Sequence, residues 1–244
     1  MKRIIYFLST IISVVILTSC NDDDSFFSSK SNLLYFSADT VYMDTVISKV
    51  PSSTRTFWVH NNSSDGIRIS SIKLAQGNQT GFRVNVDGTD LTATGYQTNN
   101  VDIRKGDSIR VFVELTSNTT NETAPQKLED NLVFTLESGN TQKVNLNAWS
   151  WDAISMKNHE FKKDTTISSS KPIVVYGGLK VDSGVTVRIK GGTAIYFHDG
   201  AGISVYGTLK SVGDSTAFVT MRGDRLDNMF DYLPYDMVSG QWKG

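Results

Sequence analysis

The feature that most constrains the fold is a glycine-centred phrase that occurs twice in the last third of the chain. The sequence VYGGLK at residues 175–180 returns as VYGTLK at residues 205–210, 30 residues later. Short strands that repeat at a period of tens of residues, with glycine corners between them, are typical of a solenoid of stacked coils. The pattern predicts β-coils over residues 151–244, with Gly177 and Gly178 at a corner between strands. A second sandwich with a chance duplication is the alternative.

Two longer phrases resemble the opening coils of a right-handed parallel β-helix of the pectate-lyase-like type. They are LKVDSGVTVRIKGGTAIYF at residues 179–197 and ISVYGTLKSVGDSTAFVTM at residues 203–221. Residues 151–163 are expected to be a connector, with the first strand beginning at Asp164. Two coils cannot bury a continuous core or cap their own edge, and the chain ends in what resembles the start of a further coil. We therefore expect this segment to be incomplete and the chain to be truncated.

Residues 33–150 carry a different pattern, in which apolar and polar residues alternate over seven or eight short runs. Such runs, separated by turn residues, predict an antiparallel β-sandwich and an all-β protein. Three phrases resemble the abnormal-spindle/hydin group of immunoglobulin-like domains: FWVHNN at 57–62, IRKGDSIRVFVEL at 103–115 and LVFTLESGNTQKVNLNA at 132–148. The resemblance implies a spacer or protein-contact module without a catalytic motif. The alternation around Trp58 predicts that its side chain belongs to the core.

The start of the chain indicates where the protein resides. Lys2 and Arg3 precede an apolar run over residues 4–17, which fits a signal peptide and is short for a membrane span. The run ends in LTSC, which resembles the bacterial lipobox, and Cys20 is the only cysteine of the chain. The resemblance implies a signal peptide over residues 1–19 and acylation of Cys20 with chains such as palmitate, which anchor a protein stably when there are two or three. A plain signal peptide or an uncleaved anchor helix is the alternative.

Residues 20–32 form an acidic tether behind this cysteine. The acidic run comprises Asn21, Asp22, Asp23 and Asp24. It resembles the export signal of Bacteroidota surface lipoproteins, and the alternative is an ordinary solvated linker. The resemblance implies a lipoprotein of the outer membrane, exposed at the cell surface. A single cysteine excludes an internal disulfide and metal sites built on several thiolates.

Five Asp-Ser or Asp-Thr triplets resemble the O-glycosylation site of exported Bacteroidota proteins. Their hydroxyl residues are Thr40, Thr45, Ser108, Thr165 and Ser215. The alternative is that these aspartates simply begin strands and turns, where aspartate is common. The sequence leaves both interpretations open.

The sequence carries no catalytic motif. Zinc-protease, P-loop, nucleophile-elbow and dinucleotide fingerprints are all missing, and His159-Glu160 lacks the second zinc histidine. The histidines His60, His159 and His198 lie in different segments and are interpreted as structural or surface residues. Enzymes built on a β-helix use carboxylates, and the loosest candidates are Asp182, Asp199, Asp214, Asp224 and Asp227. We predict no catalytic residue, no metal site and no cofactor.

A net charge of −1 gives the chain no basic footprint for nucleic acid. The leading hypothesis is a non-catalytic binding, adhesion or scaffold protein of the cell surface that presents its β-helix to a polysaccharide or a protein. One alternative is a polysaccharide lyase or glycoside hydrolase whose active coils lie beyond Gly244. Another is an accessory lipoprotein of an outer-membrane uptake complex. The expected partners are the membrane, through the lipid, and a polysaccharide or another outer-membrane protein.

Overall fold

The structure, a computed structural model, describes residues 25, 26 and 28–226. The predicted signal peptide, the lipidation residue Cys20, the acidic run at 21–24 and Asp227 lie outside the described residues. Eighteen strands and one short 3₁₀ turn make up the regular structure of the described part. Within that part no helix is long and apolar enough to cross a bilayer.

The first body is a sandwich of two five-stranded sheets. Its strands are β1 (Tyr35–Phe36), β2 (Thr40–Ile47), β3 (Arg55–His60), β4 (Ile67–Leu74), β5 (Phe82–Val86), β6 (Thr89–Asp90), β7 (Gln97–Ile103), β8 (Ser108–Leu115), β9 (Gln126–Leu136) and β10 (Thr141–Trp151), and the 3₁₀ turn is Leu91–Thr94. The first sheet has the order β1-β3-β8-β5-β6, and the second has the order β2-β10-β9-β4-β7. The immunoglobulin-like β-sandwich predicted from the sequence is confirmed, although β2 and β10 pair in parallel. Ten strands replace the expected seven or eight, since β1 and β6 are too short to show an alternation.

Alternate residues of each strand fill the space between the two sheets. In β8, Ile109, Val111, Val113 and Leu115 are buried, whereas Arg110 between them is exposed. The largest fully buried side chains of this core include Phe57, Phe82, Phe134, Met43 and Leu146. Complete burial of each such side chain stabilises the fold by about 1.5–3 kcal/mol. The apolar side chains that alternate along the strands therefore form one continuous core.

Trp58 lies on the outer face of the first sheet, and the prediction that it belongs to the core is wrong. Its neighbours Phe57 and Val59 point inward at 1% and 0% exposed, while Trp58 between them is 42% exposed. A period-2 pattern shows which residues share a face. It does not show which of two adjacent aromatic residues points inward.

The second body is a parallel β-solenoid of about three turns. Its strands are β11 (Ile154–Phe161), β12 (Thr165–Ile167), β13 (Ile173–Val181), β14 (Thr186–Lys190), β15 (Ala194–Phe197), β16 (Ile203–Val205), β17 (Thr208–Val212) and β18 (Thr220–Gly223). The larger sheet has the order β11-β13-β15-β18 with β16 also beside β13, and the smaller sheet is β12-β14-β17. All pairings between these strands are parallel. The predicted parallel β-helix is confirmed, and the alternative of a second sandwich is excluded.

Residues 151–163 are not a connector, because β11 lies among them as the first rung of the larger sheet. It pairs with β13 from Ile154 opposite Ile173 to Phe161 opposite Val181. Only Phe161 among its residues is buried. With so few apolar side chains directed inward, β11 shows no alternation in the sequence.

The coil repeat differs from the 30-residue repeat of the sequence. Ile173 pairs with Ile195, 22 residues further on. Gly177 lies inside β13, not at the expected corner, whereas Gly207 lies in the turn between β16 and β17. A Cβ would meet the Asn158 side chain at Gly177 and backbone carbonyl oxygens at Gly207. The two phrases therefore share a need for glycine without occupying equivalent positions in successive coils.

The sandwich and the solenoid meet through a small apolar cluster. Ile47 at the end of β2 packs against Val174 of β13 and Tyr196 of β15, all at most 8% exposed. Close by, Arg225 Nη2 donates a 2.9 Å hydrogen bond to the Ser53 hydroxyl.

Candidate functional site

A groove of about 700 Å³ crosses the outer surface of the larger solenoid sheet, over β11, β13 and β16. Four glycines line it: Gly177, Gly178, Gly200 and Gly202. Side chains at its border include Glu160, Lys180 and Tyr206. Because glycine has no side chain, backbone amide and carbonyl groups form part of the groove surface. We call this feature the solenoid groove.

The groove exists because the sheet bulges at Gly177 and Gly178. The register of β11 against β13 shifts between Lys157 and His159, and the two glycines have φ of +76° and +140°. Such values favour glycine strongly, and a bulge with two glycines leaves a depression where side chains would otherwise stand. Asn158 on the facing strand also has a positive φ and fills the space beside Gly177. The Asn158 side chain therefore occupies the space that a Cβ at residue 177 would need.

One side of the solenoid groove carries a row of alternating charges. The Lys180 ammonium group hydrogen-bonds the Glu160 carboxylate and lies 2.9 Å from Oδ1 of Asp182. Lys162 Nζ lies 3.1 Å from the other oxygen of Glu160. Hydrogen bonds from Lys180 and Lys162 lower the pKa of Glu160 to about 2, and those to Glu160 and Asp182 raise the pKa of Lys180. Glu160 and Lys180 are consequently charged throughout the physiological pH range.

Tyr206 adds an exposed aromatic ring to the same groove. The side chain is 67% exposed, and the Lys180 ammonium nitrogen lies 5.7 Å from the centroid of its ring. The backbone N–H of Tyr206 donates to the carbonyl of Val181 at 2.9 Å. This hydrogen bond holds the backbone of Tyr206 against the preceding coil. A ring of this kind offers an apolar face for stacking beside polar and charged groups. The solenoid groove can thus hold an elongated ligand that has both apolar faces and hydroxyl groups.

A second group of titratable side chains lines a cleft of about 330 Å³ between the two bodies. His198 Nδ1 lies 2.6 Å from Oδ2 of Asp224. The ring of Tyr176 lies 4.9 Å from the His198 ring, and burial followed by the negative charge of Asp224 raises the pKa of Tyr176. Ser53 in this cleft accepts a hydrogen bond from Arg225. The contacts of the described residues here include no hydroxyl hydrogen-bonded to the His198 ring, so they form no nucleophile–base pair.

The carboxylates named from the sequence have different surroundings. Asp182 is paired with Lys180, Asp224 with His198, and Asp199 is exposed in the turn after β15. Asp214 accepts the side-chain and backbone hydrogen bonds of Thr216, which lower its pKa and fix a local turn. Each of the three partnered carboxylates is thus held by a different group. This arrangement gives no shared acid–base pair.

The candidate O-glycosylation residues differ in accessibility. Ser215 is exposed in the turn that Asp214 fixes, whereas Thr40, Thr45, Ser108 and Thr165 are half-buried. The Thr165 hydroxyl donates to the Lys163 carbonyl at 2.9 Å, as expected if these aspartate triplets begin strands. Glycosylation stays a prediction, and Ser215 is the most accessible position for it.

The three histidines lie in separate surroundings. His60 is on the outer face of the sandwich beside Tyr35, His159 packs edge-on against Phe161 at 4.6 Å, and His198 pairs with Asp224. In the described part of the chain no three His, Cys, Asp or Glu side chains are grouped to hold a metal ion.

The solenoid groove itself was not predicted from the sequence. Glu160, Lys180 and Tyr206 have no motif in common, and they meet only because parallel strands place them on adjacent rungs. The signal that could have located the groove is the Gly-Gly pair inside an otherwise apolar strand, since such glycines often mark a bulge.

No family model matches the chain, and no curated protein matches it. Among solved structures, it is similar to a protein of unknown function from Porphyromonas gingivalis W83, with 8% identity, a TM-score of 0.37, and coverage of 53% of this chain and 50% of that one. A family 123 glycoside hydrolase from Clostridium perfringens has 7% identity, a TM-score of 0.32, and coverage of 50% and 26%. The PapD-like domain 7 of human CEP192 has 9% identity, a TM-score of 0.31, and coverage of 49% and 85%.

The chain thus spans half of the first of these structures and about a quarter of the second. Likenesses at this level carry no argument about function.

Proposed function

We propose that this protein is a lipid-anchored binding protein of the cell surface, which holds a polysaccharide in its solenoid groove without cleaving it. The observation that carries the proposal is the juxtaposition of an exposed tyrosine, a fixed ion-pair row and glycine backbone along one open groove.

The chemistry of the solenoid groove suits a sugar polymer. A sugar ring has C–H faces that stack on an aromatic side chain such as Tyr206, and hydroxyl groups that both donate and accept hydrogen bonds. Glu160 supplies acceptors, Lys180 supplies donors, and the amide of Asn158 supplies both. The groove is open and crosses three strands, so a long chain can lie along it without threading through a closed cavity.

The electrostatics of the groove favour binding over glycoside hydrolysis. Glycoside hydrolysis requires one carboxyl group that is protonated at the working pH and a second one that is not. The pKa of Glu160 is about 2, so this residue holds no proton to donate at neutral pH. Asp182 is committed to the same lysine as Glu160. Both carboxylates therefore act as fixed hydrogen-bond acceptors.

The anchoring part of the proposal rests on the sequence at residues 17–24. Acyl chains on Cys20 would hold the protein at a membrane, and the acidic run behind it supports display at the cell surface. The tether would then lead directly to the sandwich, which begins at Tyr35. In this arrangement the sandwich separates the solenoid from the membrane.

A binding assay with an exposed-tyrosine control tests the proposal. The full-length protein is titrated against neutral and acidic polysaccharides, and reducing and unsaturated ends are assayed in parallel. We expect at least one polysaccharide to bind without product release, and Tyr206→Ala to weaken that binding about tenfold. Tyr42→Ala, which removes a 66% exposed tyrosine of the sandwich, should leave binding unchanged. Product release, or equal affinity of the Tyr206→Ala variant, would contradict the proposal.

A further inference from the structure

The outer face of the first sandwich sheet carries a continuous row of aromatic and cationic side chains. We call it the aromatic platform, and it consists of Tyr35, Trp58, His60, Arg110 and Phe112. Tyr35 is 59% exposed and Trp58 is 42% exposed. The row lies on the sandwich and shares no residue with the solenoid groove.

Cross-strand pairing places these side chains next to one another. Tyr35 of β1 is opposite His60 of β3, and Trp58 of β3 is opposite Arg110 of β8. The Tyr35 and His60 ring centroids are 6.0 Å apart, and those of His60 and Trp58 are 6.4 Å apart. The guanidinium carbon of Arg110 lies 5.4 Å from the Trp58 ring centroid and 4.9 Å from that of Phe112. Every member therefore contacts the next across three adjacent strands.

The platform does not contribute to the sandwich core, since Phe57, Val59, Val111 and Val113 of the same strands point the other way. Large apolar side chains that gather on a surface commonly mark an interaction site, whereas single ones need no explanation. Tyr42 and Trp149 are comparably exposed but lie on the second sheet, away from this row. The clustering, more than the exposure of any one ring, indicates a ligand.

Arg110 indicates that the ligand is negatively charged. Three other arginines of the sandwich, Arg55, Arg68 and Arg83, each form an ion pair with a carboxylate. Arg110 forms none within residues 28–226 and instead lies against two aromatic rings. A guanidinium beside aromatic rings and without an ion-pair partner keeps its N–H donors available, and its geometry matches a carboxylate.

We infer that the aromatic platform binds an acidic polysaccharide, with sugar rings stacked on Trp58 and Tyr35 and a uronate carboxylate on Arg110. The polar residues Ser108 and Asn85 are the cross-strand neighbours of His60 and Phe112. Because polar residues border the platform, its surroundings favour a narrow polar chain over a protein. A stable protein interface usually has a continuous apolar centre and buries roughly 800 Å² on each partner. The inference goes beyond the proposed function, since it concerns a different body and does not depend on the solenoid groove.

The test measures binding of the full-length Tyr206→Ala protein, in which binding to the solenoid groove is weakened, to polygalacturonate, alginate and hyaluronan, with dextran as the neutral polymer. The further substitutions are made in this background. We expect at least one acidic polymer to bind and dextran to bind at least tenfold more weakly. Trp58→Ala and Arg110→Gln should each weaken binding of that acidic polymer about tenfold. The matched controls Trp149→Ala and Arg68→Gln remove an exposed tryptophan and a paired arginine of the second sheet, and should change binding less than twofold.

Several results would overturn the inference. These are failure of all three acidic polymers to bind, equal binding of dextran in the Tyr206→Ala background, or full affinity in either the Trp58→Ala or the Arg110→Gln variant. Specific capture of a protein that Trp58→Ala abolishes would likewise assign the platform to a protein partner. Thermal unfolding of each variant checks that the fold is retained, and Tyr206→Ala separates this site from the solenoid groove because only groove binding should respond to it.

Discussion

The Ser48 hydroxyl donates a 2.5 Å hydrogen bond to Oδ1 of Asp152, at the point where the chain passes from the sandwich to the solenoid. The backbone N–H groups of Thr120 and Asn121 donate to the same carboxylate at 3.0 and 2.6 Å. Lys171, which precedes β13, lies 3.6 Å from Oδ2. One buried side chain, 5% exposed, therefore ties the end of β2, the loop after β8 and the solenoid together.

Asp152→Asn should lower the free energy of unfolding by about 2 kcal/mol. The substitution removes the charge that strengthens the hydrogen bonds to residue 152, and it places the NH₂ group of the asparagine against N–H donors. Urea denaturation of the full-length protein measures this. Asp102→Asn is the control, since Asp102 forms an exposed pair with Arg68 and its loss should cost less than about 1 kcal/mol. Equal effects of the two substitutions would show that the Asp152 network does not stabilise the junction.

The same carboxylate predicts a pH dependence. Burial alone would raise the pKa of Asp152, but hydrogen bonds from Ser48, Thr120 and Asn121, with the charge of Lys171, hold it below its ordinary value. Its contribution is therefore complete above the unfolded-state pKa near 4 and is lost as the pH falls through the lower folded-state pKa. Below about pH 4 the free energy of unfolding should fall more steeply in the wild type than in Asp152→Asn. An equal decrease in the free energy of unfolding of the two proteins below pH 4 would contradict this prediction.

Cys20→Ala tests the predicted anchor. If Cys20 carries acyl chains, the wild type should partition into the detergent phase of Triton X-114 and incorporate a palmitate analogue, and the variant should do neither. Intact mass measurement of the purified native protein would show the acyl groups directly. Incorporation that persists in Cys20→Ala would contradict lipidation at this residue.

Much of the fold could be predicted because the two bodies have different periodicities. Alternating residues such as those of β8 indicate a sandwich, and glycine corners between short strands indicate a solenoid. The features that the sequence did not predict correctly depend on pairing between strands. The register that sets Ile173 against Ile195, the polar rung β11 and the direction in which Trp58 points are all decided by neighbouring strands. No local pattern encodes them.

The two binding surfaces could not be predicted for the same reason. The platform requires that β1, β3 and β8 be adjacent, an order that the chain reaches only through long connections. The solenoid groove requires the bulge that brings Glu160 and Lys180 together on neighbouring rungs. The carboxylates named from the sequence were selected by residue type alone, and the structure gives them separate partners.

Lys180→Gln should raise the pKa of Glu160 from about 2 toward the ordinary value of a glutamate, because its strongest hydrogen-bond donor is removed. Lys162 remains near Glu160, so the pKa should stay somewhat below that of a free side chain. Titration of the labelled carboxyl carbon by NMR measures this. Lys190→Gln, on the smaller sheet, is the control. An unchanged pKa in Lys180→Gln would show that the ion-pair row does not set the charge of the groove.

Gly177→Ala should destabilise the protein by about 3 kcal/mol, since an alanine must adopt φ near +76° and its methyl group must displace the Asn158 side chain. Gly88→Ala is the matched control. Gly88 has φ of +89° but no atom within 4 Å of an added Cβ, so only the backbone strain of about 1 kcal/mol remains.

Chemical denaturation of the two single variants and of Asn158→Gly/Gly177→Ala separates these causes. If the contact maintains the bulge, shortening residue 158 should recover most of the difference between Gly177→Ala and Gly88→Ala. Polysaccharide binding by Gly177→Ala should also weaken, because displacement of the Asn158 side chain changes the lining of the solenoid groove. Equal destabilisation at Gly177 and Gly88 would mean that the Asn158–Gly177 contact does not shape the groove, and that backbone conformation alone accounts for the glycine.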